Sequence, residues 1–304
     1  MPKTEYNMDN YTSETKRFLE KRFNEEKDNI YFAHQPIYGY RNPHTADAQI
    51  SKYMVIKSIL NVLKDYSFSN FIDIGGAEGW TAYIVRKLFN VKIASTDLSE
   101  SVCKIAKNIF NLEAIACDIH NLPFSDDEFD AVVCSETIEH VTDYKKAVAE
   151  LLRITKNVLI ITVPHETPEM VAETIRKKIP HGHIHYFDIH TLNYLKESGC
   201  AVRYEKTLSP LLVQLRVMIE GYKKSGNKIL YKLYNAFTPI FKKIFGIKSA
   251  CKITNLDKNF AHFFGFYNGI TFIIEKRNCS KIIREKEIKA QDFIGMTVKE
   301  YVIK

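Results

Sequence analysis

From residue 70 onward, short runs that are apolar along nearly their whole length alternate with amphipathic stretches. FIDI (71–74) is followed by GWTAYIVRKLF, VKIASTD by SESVCKIAKNIF, and the run EAIACD comes next. FDAVVCSE follows the turn PFSDDE, and DYKKAVAELLRI leads to NVLIITVP. Strands with no polar face are stable only inside a parallel sheet covered on both sides, and the intervening helices supply the covers. The expected fold is therefore α/β: a doubly wound, mostly parallel seven-stranded sheet. TLNYLKESG reads as one more helix, and CAVRYEKTLS and GITFIIEKR as the last two strands. About 55 residues separate those strands, too many for a turn, so a helical insertion precedes the last strand.

The divisions that follow are an N-terminal helical segment or lid at 1–45, the sheet domain at 46–208, and a basic aromatic cap at 209–262. A final strand at 263–279 and a charged tail at 280–304 complete the chain. AQISKYMVIKSILNVLKDY is read as the helix leading into the first strand, and DFIGMTVKEYVI as a segment able to dock. The six cysteines are scattered without a CxxC pair, so buried thiols are expected rather than a disulfide framework or a zinc site. No apolar run reaches the ~18 residues that span a bilayer, and the polar start lacks a secretory signal, which points to the cytoplasm. Between Arg203 and Lys252 there are eleven Lys or Arg against two acids within a chain of net charge +7. That segment suits peripheral contact with the anionic inner face of a membrane, or an acidic acceptor.

In such a sheet, ligands sit at the carboxyl ends of the strands where strand order reverses, which directs attention to the first strand-to-helix turn, IDIGGAEGW. A dinucleotide cradle requires G-x-G-x-x-G; read from Gly75, the sequence offers Gly75, Ala77 and Trp80. Asp73 and Glu78 would also repel a phosphate. A phosphate-free nucleoside carrying an ammonium fits better, with Asp73 facing the positive charge and Gly75, Gly76 and Gly79 letting the backbone come close.

Asp73-Ile-Gly75-Gly76-Ala77-Glu78-Gly79 resembles the first motif of the class I S-adenosylmethionine-dependent methyltransferases, D-x-G-x-G-x-G, with Ala77 at the middle glycine. The likeness covers roughly residues 50–200 and the last strand. It is nearest to the methyltransferase type 11 branch that includes ubiquinone-biosynthesis enzymes. It implies a Rossmann-like domain with S-adenosyl-L-methionine as cofactor. It also implies that Asp97, with Leu98 beside it, accepts hydrogen bonds from the ribose, that Asp118 meets the adenine amino group and that Ile119 packs on the ring. Ser135 and Glu136 then stand at the tip of the fourth strand beside the cofactor.

The activity so implied is methyl transfer, expected here to the oxygen of a small-molecule or lipid-linked glycan acceptor. His140 and His165, following the fourth and fifth strands, are the candidate bases. Tyr38, Tyr40 and Arg41 are expected near the acceptor in an N-terminal lid, and His181, His183 and His185, which alternate and would share one face of an extended segment, are expected to line the acceptor side. That geometry permits a metal, but similar segments in the family work without one, and none is expected. Nucleic acid is not expected as a partner, because CSET lacks the N/D-P-P-Y pattern and no RNA-binding module is recognisable in the sequence. A regulatory protein that binds the cofactor without turnover and a nicotinamide oxidoreductase are the alternatives.

Overall fold

The computed structural model describes residues 8–27, 29–39, 46–207, 233, 236, 246–256, 267–276, 279, 281–282, 286–299 and 301. Helix α1 (Met8–Arg22) is followed by a two-stranded hairpin, β1 (Glu26–Lys27) and β2 (Ile30–Tyr31), and by α2 (Ala46–Leu63). The alternation then runs β3 (Asn70–Ile74), α3 (Trp80–Phe89), β4 (Lys92–Asp97), α4 (Glu100–Phe110), β5 (Glu113–Ala116) and β6 (Phe129–Ser135). It continues with α5 (Tyr144–Ile154), β7 (Thr155–Pro164), α6 (Pro168–Arg176), β8 (Ala201–Thr207) and β9 (Gly269–Glu275).

Seven strands form one sheet in the order β5-β4-β3-β6-β7-β9-β8. The first five of these pair in parallel, while β9 runs antiparallel to both β7 and β8. Strand order reverses at β3, whose neighbours are β4 and β6. Alternate residues of the central strands serve the two faces, as a two-residue period requires. Phe71, Ala131, Val133, Ile160 and Ile273 pack under α2, α3 and α4. Ile72, Ile74, Val132, Cys134, Leu159 and Ile161 pack under α5 and the 187–195 segment. Each fully buried aliphatic or aromatic side chain in these layers contributes roughly 1.5–3 kcal/mol.

The helices begin where the sequence provides caps. Ser99 accepts from the Val102 N–H at α4, and Asp143 accepts from the Lys146 N–H at α5. Helix α6 went unrecognised in the sequence although Thr167 caps it and Pro168 opens it, the favoured pair at a helix start. Conversely, TLNYLKESG forms only a 3-10 turn at Asn193–Lys196 before Gly199 takes a positive φ of 82°.

The charged tail contains a core segment: Ala290, Phe293 and Ile294 are fully buried, and the Trp80 indole N–H donates to the Met296 carbonyl at 2.7 Å. Within the basic insertion the described residues include a helical stretch at 246–256, tied to the tail by Asn255, which accepts from the Ala290 N–H at 2.9 Å. Apart from Leu233 and Ala236, the remainder of the 209–262 cap lies outside the described residues, as do Tyr40 and Arg41. The cysteines are all free, with Cys103 and Cys134 buried.

Candidate functional site

The glycine turn after β3 sits at the strand-order reversal and forms one wall of a cavity of about 670 Å³. Its backbone is shaped by contacts within the protein. A Cβ on Gly76 would stand 2.3 Å from Ser95 Oγ and 2.9 Å from Asp73 Oδ2. Gly79, with φ of +76°, would press a Cβ to 2.3 Å from Leu112 Cδ1, and it does not line the cavity. Its role is thus helix packing rather than ligand approach. Ala77 adopts φ of +44° without being glycine, a strain of roughly 1–2 kcal/mol. What holds it there is its N–H, which donates to Asp97 Oδ2 at 3.1 Å.

Asp97, at the end of β4, is 8% exposed, and its Oδ1 accepts from the Ser99 N–H at 3.0 Å. Burial pushes its carboxyl up to about 6, against the opposing pull of those backbone donors. Asp73 is 1% exposed, and its Oδ2 has no hydrogen-bond partner among the described residues. Burial, reinforced by the charge of Asp97, raises the Asp73 carboxyl to about 8. Two buried acids, one with an orphaned oxygen, are a standing deficit that a cationic ligand bearing hydroxyls would relieve. Asp118 follows β5 and lies half open. Its Oδ1 is 2.7 Å from the His120 ring, a contact that holds its carboxyl below the usual range. Leu98 and the buried Ile119 line the same wall.

On the other side of the reversal, Ser135 ends β6, and Glu136, Glu139 and His140 follow it. Glu136 opens to the cavity in a left-handed conformation, φ of 50°, and its Oε1 accepts from Thr162 Oγ1 at 3.0 Å. Ser135 Oγ pairs with the same threonine at 2.8 Å. His140 stacks on His181, ring centroids 3.8 Å apart, and His183 stands edge-on to it at 4.7 Å. Burial, with His181 and His183 nearby, lowers the His140 pKa well below 6.5, and burial brings His181 to about 4. Positive-φ residues outside glycine thus include Ala77, Glu136 and His181, which all line the cavity, as strained backbone at a site tends to do.

Three histidine expectations need adjusting. His165 does not line the cavity; it stacks on Tyr267 at 4.3 Å, with Nδ1 3.2 Å from the Phe187 carbonyl. His185 likewise turns away, its Nε2 2.6 Å from the Val141 carbonyl and its ring against Tyr144. The 181–187 segment is not a strand, and His181 has φ of 51°, so the alternation that would put three histidines on one face is broken. Tyr38 is buried and donates to the Tyr301 carbonyl at 3.1 Å, a docking contact rather than an acceptor-facing one.

The N-terminal segment supplies residues that sequence reasoning missed. Glu78, inside the turn, is fully buried and faces the protein: its Oε1 accepts from the Tyr31 hydroxyl at 2.7 Å and from the His34 N–H. Its Oε2 accepts from the Gln35 N–H at 3.0 Å. Gln35 Oε1 in turn accepts from the Trp80 N–H at 2.8 Å, satisfying a free donor at the start of α3. Helix α1 closes the cavity above. Glu20 accepts from the Glu100 N–H at the start of α4, Phe18 stacks on His181, and Tyr11 donates to the Gly182 carbonyl at 3.1 Å. Lys52, from α2, donates to the His34 carbonyl, and burial lowers its ammonium to about 8. The acid at position 78 was a visible signal, but its partners lie more than 40 residues earlier.

Residues 72–161 match the family model for a methyltransferase domain. Norajmaline N-methyltransferase of Rauvolfia serpentina is 29% identical over 117 residues, 35% of this chain and 40% of that protein. The ubiquinone/menaquinone biosynthesis C-methyltransferase UbiE of Francisella tularensis is 25% identical over 160 residues, 47% and 64% of the two chains. The chain thus spans between two fifths and two thirds of these relatives. In fold it resembles a chain from the complex between the Haloferax volcanii Trm112 methyltransferase activator and its methyltransferase, with a TM-score of 0.50 and 12% identity over 75% of this chain and 92% of that one. The matched stretch, residues 72–161, takes in the glycine turn and the strand-end acids Asp73, Asp97 and Asp118, and it is similar to the methyltransferase domain of these S-adenosylmethionine-dependent enzymes.

Proposed function

We propose that the chain binds S-adenosylmethionine in this cavity and passes its methyl group to an oxygen of a small-molecule or lipid-linked acceptor. The observation that carries the reading is the convergence of Asp73, Asp97 and Asp118 on one cavity beside the glycine turn, with a buried Asp73 oxygen left unpaired. When bound, the cofactor supplies an electrophilic methyl group on a sulfonium, so that holding the partners in line provides much of the rate.

The residues divide the work. Asp97 has two acceptor oxygens for a pair of ribose hydroxyls, and its geometry is fixed beforehand by the Ala77 and Ser99 amides. Asp73 offers negative charge to the cofactor's cationic end. Leu98 and Ile119 provide apolar faces for the adenine, with Asp118 at its edge. Helix α1 and the 34–36 turn exclude water from the reacting groups. Glu136 and His140 line the same cavity and give a hydroxyl's proton somewhere to go. The buried acids speak against a nucleotide's phosphates, and so against a nicotinamide cofactor.

A lipid-linked acceptor and peripheral membrane contact are supported by the basic sequence between Arg203 and Lys252. Among the described residues no helix is long and apolar enough to cross a membrane. The test is incubation of cell extract with methyl-labelled cofactor and the full chain, followed by mass spectrometry. The expected result is a labelled low-mass or lipid-linked product carrying the methyl on oxygen. Cofactor binding with no labelled product would instead identify a regulatory protein.

A further inference from the structure

The cofactor reading leaves one acid of the cavity unused. Glu139 is 1% exposed, and among the described residues neither of its carboxylate oxygens has a hydrogen-bond partner. A buried carboxylate in that condition is strongly unfavourable unless a cation or a proton joins it. The nearest nitrogen in an ion-pair contact is His140 Nε2, 3.6 Å from Oε1.

The two neighbouring imidazoles are oriented from behind. His140 Nδ1 lies 3.2 Å from the Gly182 carbonyl, which only accepts, so Nδ1 carries the proton and Nε2 turns a lone pair toward Glu139. His183 Nδ1 lies 2.7 Å from Glu166 Oε2 and donates to it, which leaves Nε2 as the nitrogen with a lone pair to offer. A backbone carbonyl behind one histidine and a carboxylate behind the other are the outer contacts that fix metal-binding imidazoles in structures generally. His181, stacked on His140, further restrains that ring. Glu139, His140 and His183 each present one ligand atom, all within 4.8 Å of one another, and all three line the cavity.

We propose that Glu139, His140 and His183 form a site for one divalent first-row transition metal ion, between manganese and zinc, with its remaining coordination positions open to the cavity. Two imidazole nitrogens and one carboxylate suit those borderline ions, whereas magnesium and calcium prefer all-oxygen sets. An acceptor hydroxyl bound at an open position has its pKa lowered as metal-bound water does. With His140 coordinating, Glu136 remains to take the proton. The site stands on its own geometry whether or not the cavity takes S-adenosylmethionine.

The test uses the metal-stripped full chain and Co²⁺ alone, without cofactor, followed by calorimetry and by visible absorption. The expected result is one equivalent of cobalt bound with d–d bands. Affinity should fall at least ~100-fold in Glu139→Gln and in His183→Ala, and about tenfold in Glu166→Gln, whose carboxylate acts from behind. Melting curves establish that each variant is folded; if Glu139→Gln fails, His183→Ala and His140→Ala carry the comparison. Absence of stoichiometric cobalt binding, or undiminished binding in a folded His183→Ala, would overturn the proposal.

Discussion

Glu78→Gln tests whether the N-terminal segment is clamped to the glycine turn as the hydrogen bonds indicate. The carboxylate accepts from three donors, the Tyr31 hydroxyl and the amides of His34 and Gln35, and has two oxygens to do so. Glutamine keeps one accepting oxygen and puts an NH₂ where the other stood, so at least one donor is left facing a donor in a fully buried position. Leaving a buried group unsatisfied costs about 1–3 kcal/mol. The cost falls on the local docking of residues 31–36, so their opening should become roughly 5- to 150-fold more frequent. Hydrogen exchange read by NMR at the His34 and Gln35 amides measures this directly. Because His34 and Gln35 line the cavity, cofactor affinity should weaken in parallel. Exchange at both amides within twofold of the wild-type rate would refute the clamp.

Ala77→Gly should relieve the left-handed strain while loosening the unfolded chain, for a net gain of up to about 1 kcal/mol in thermal melting; a clear loss would contradict the φ assigned to that residue. Cofactor affinity should rise with pH. Binding to ionised Asp97 and Asp73, whose carboxyls sit at about 6 and about 8, releases about one proton between those values and about two below 6. Calorimetry should therefore show up to roughly a tenfold gain per pH unit from 6 to 8, levelling off above. For the free protein the sign is opposite. The unfolded chain loses the Asp73 proton near 3.8 while the fold retains it to about 8, so this group's contribution to stability falls as pH rises across that window.

The strands and the cofactor wall were legible because they obey local rules. Apolar runs of fixed length marked β3, β4, β6 and β7, and each of Asp73, Asp97 and Asp118 stands at or just past a strand end, where chemistry in this architecture collects. Legibility failed where a residue's meaning depends on distant chain. Nothing local shows that Glu78 receives Tyr31 and the His34 amide; Phe293 and Ile294, in the segment DFIGMTVKEYVI read as able to dock, do lie in the core, but their partner Trp80 could not be named from the sequence. The histidines divide in the same way. A period of two applies to strands, and 181–187 is held by separate contacts to Tyr11, Glu139 and Val141, so His183 faces the cavity while His185 does not. Helix α6 was a different failure, since its Thr-Pro start was in plain view.

The most direct measurement for the central claim is calorimetric titration of the full chain with S-adenosylmethionine, beside the same titration of Asp97→Asn. The account predicts a single site in the wild type and an affinity weaker by about 1.5–3 kcal/mol, roughly 10- to 150-fold, in the variant, whose melting temperature shows it to be folded. No binding to the wild type, or equal binding to both proteins, would contradict it.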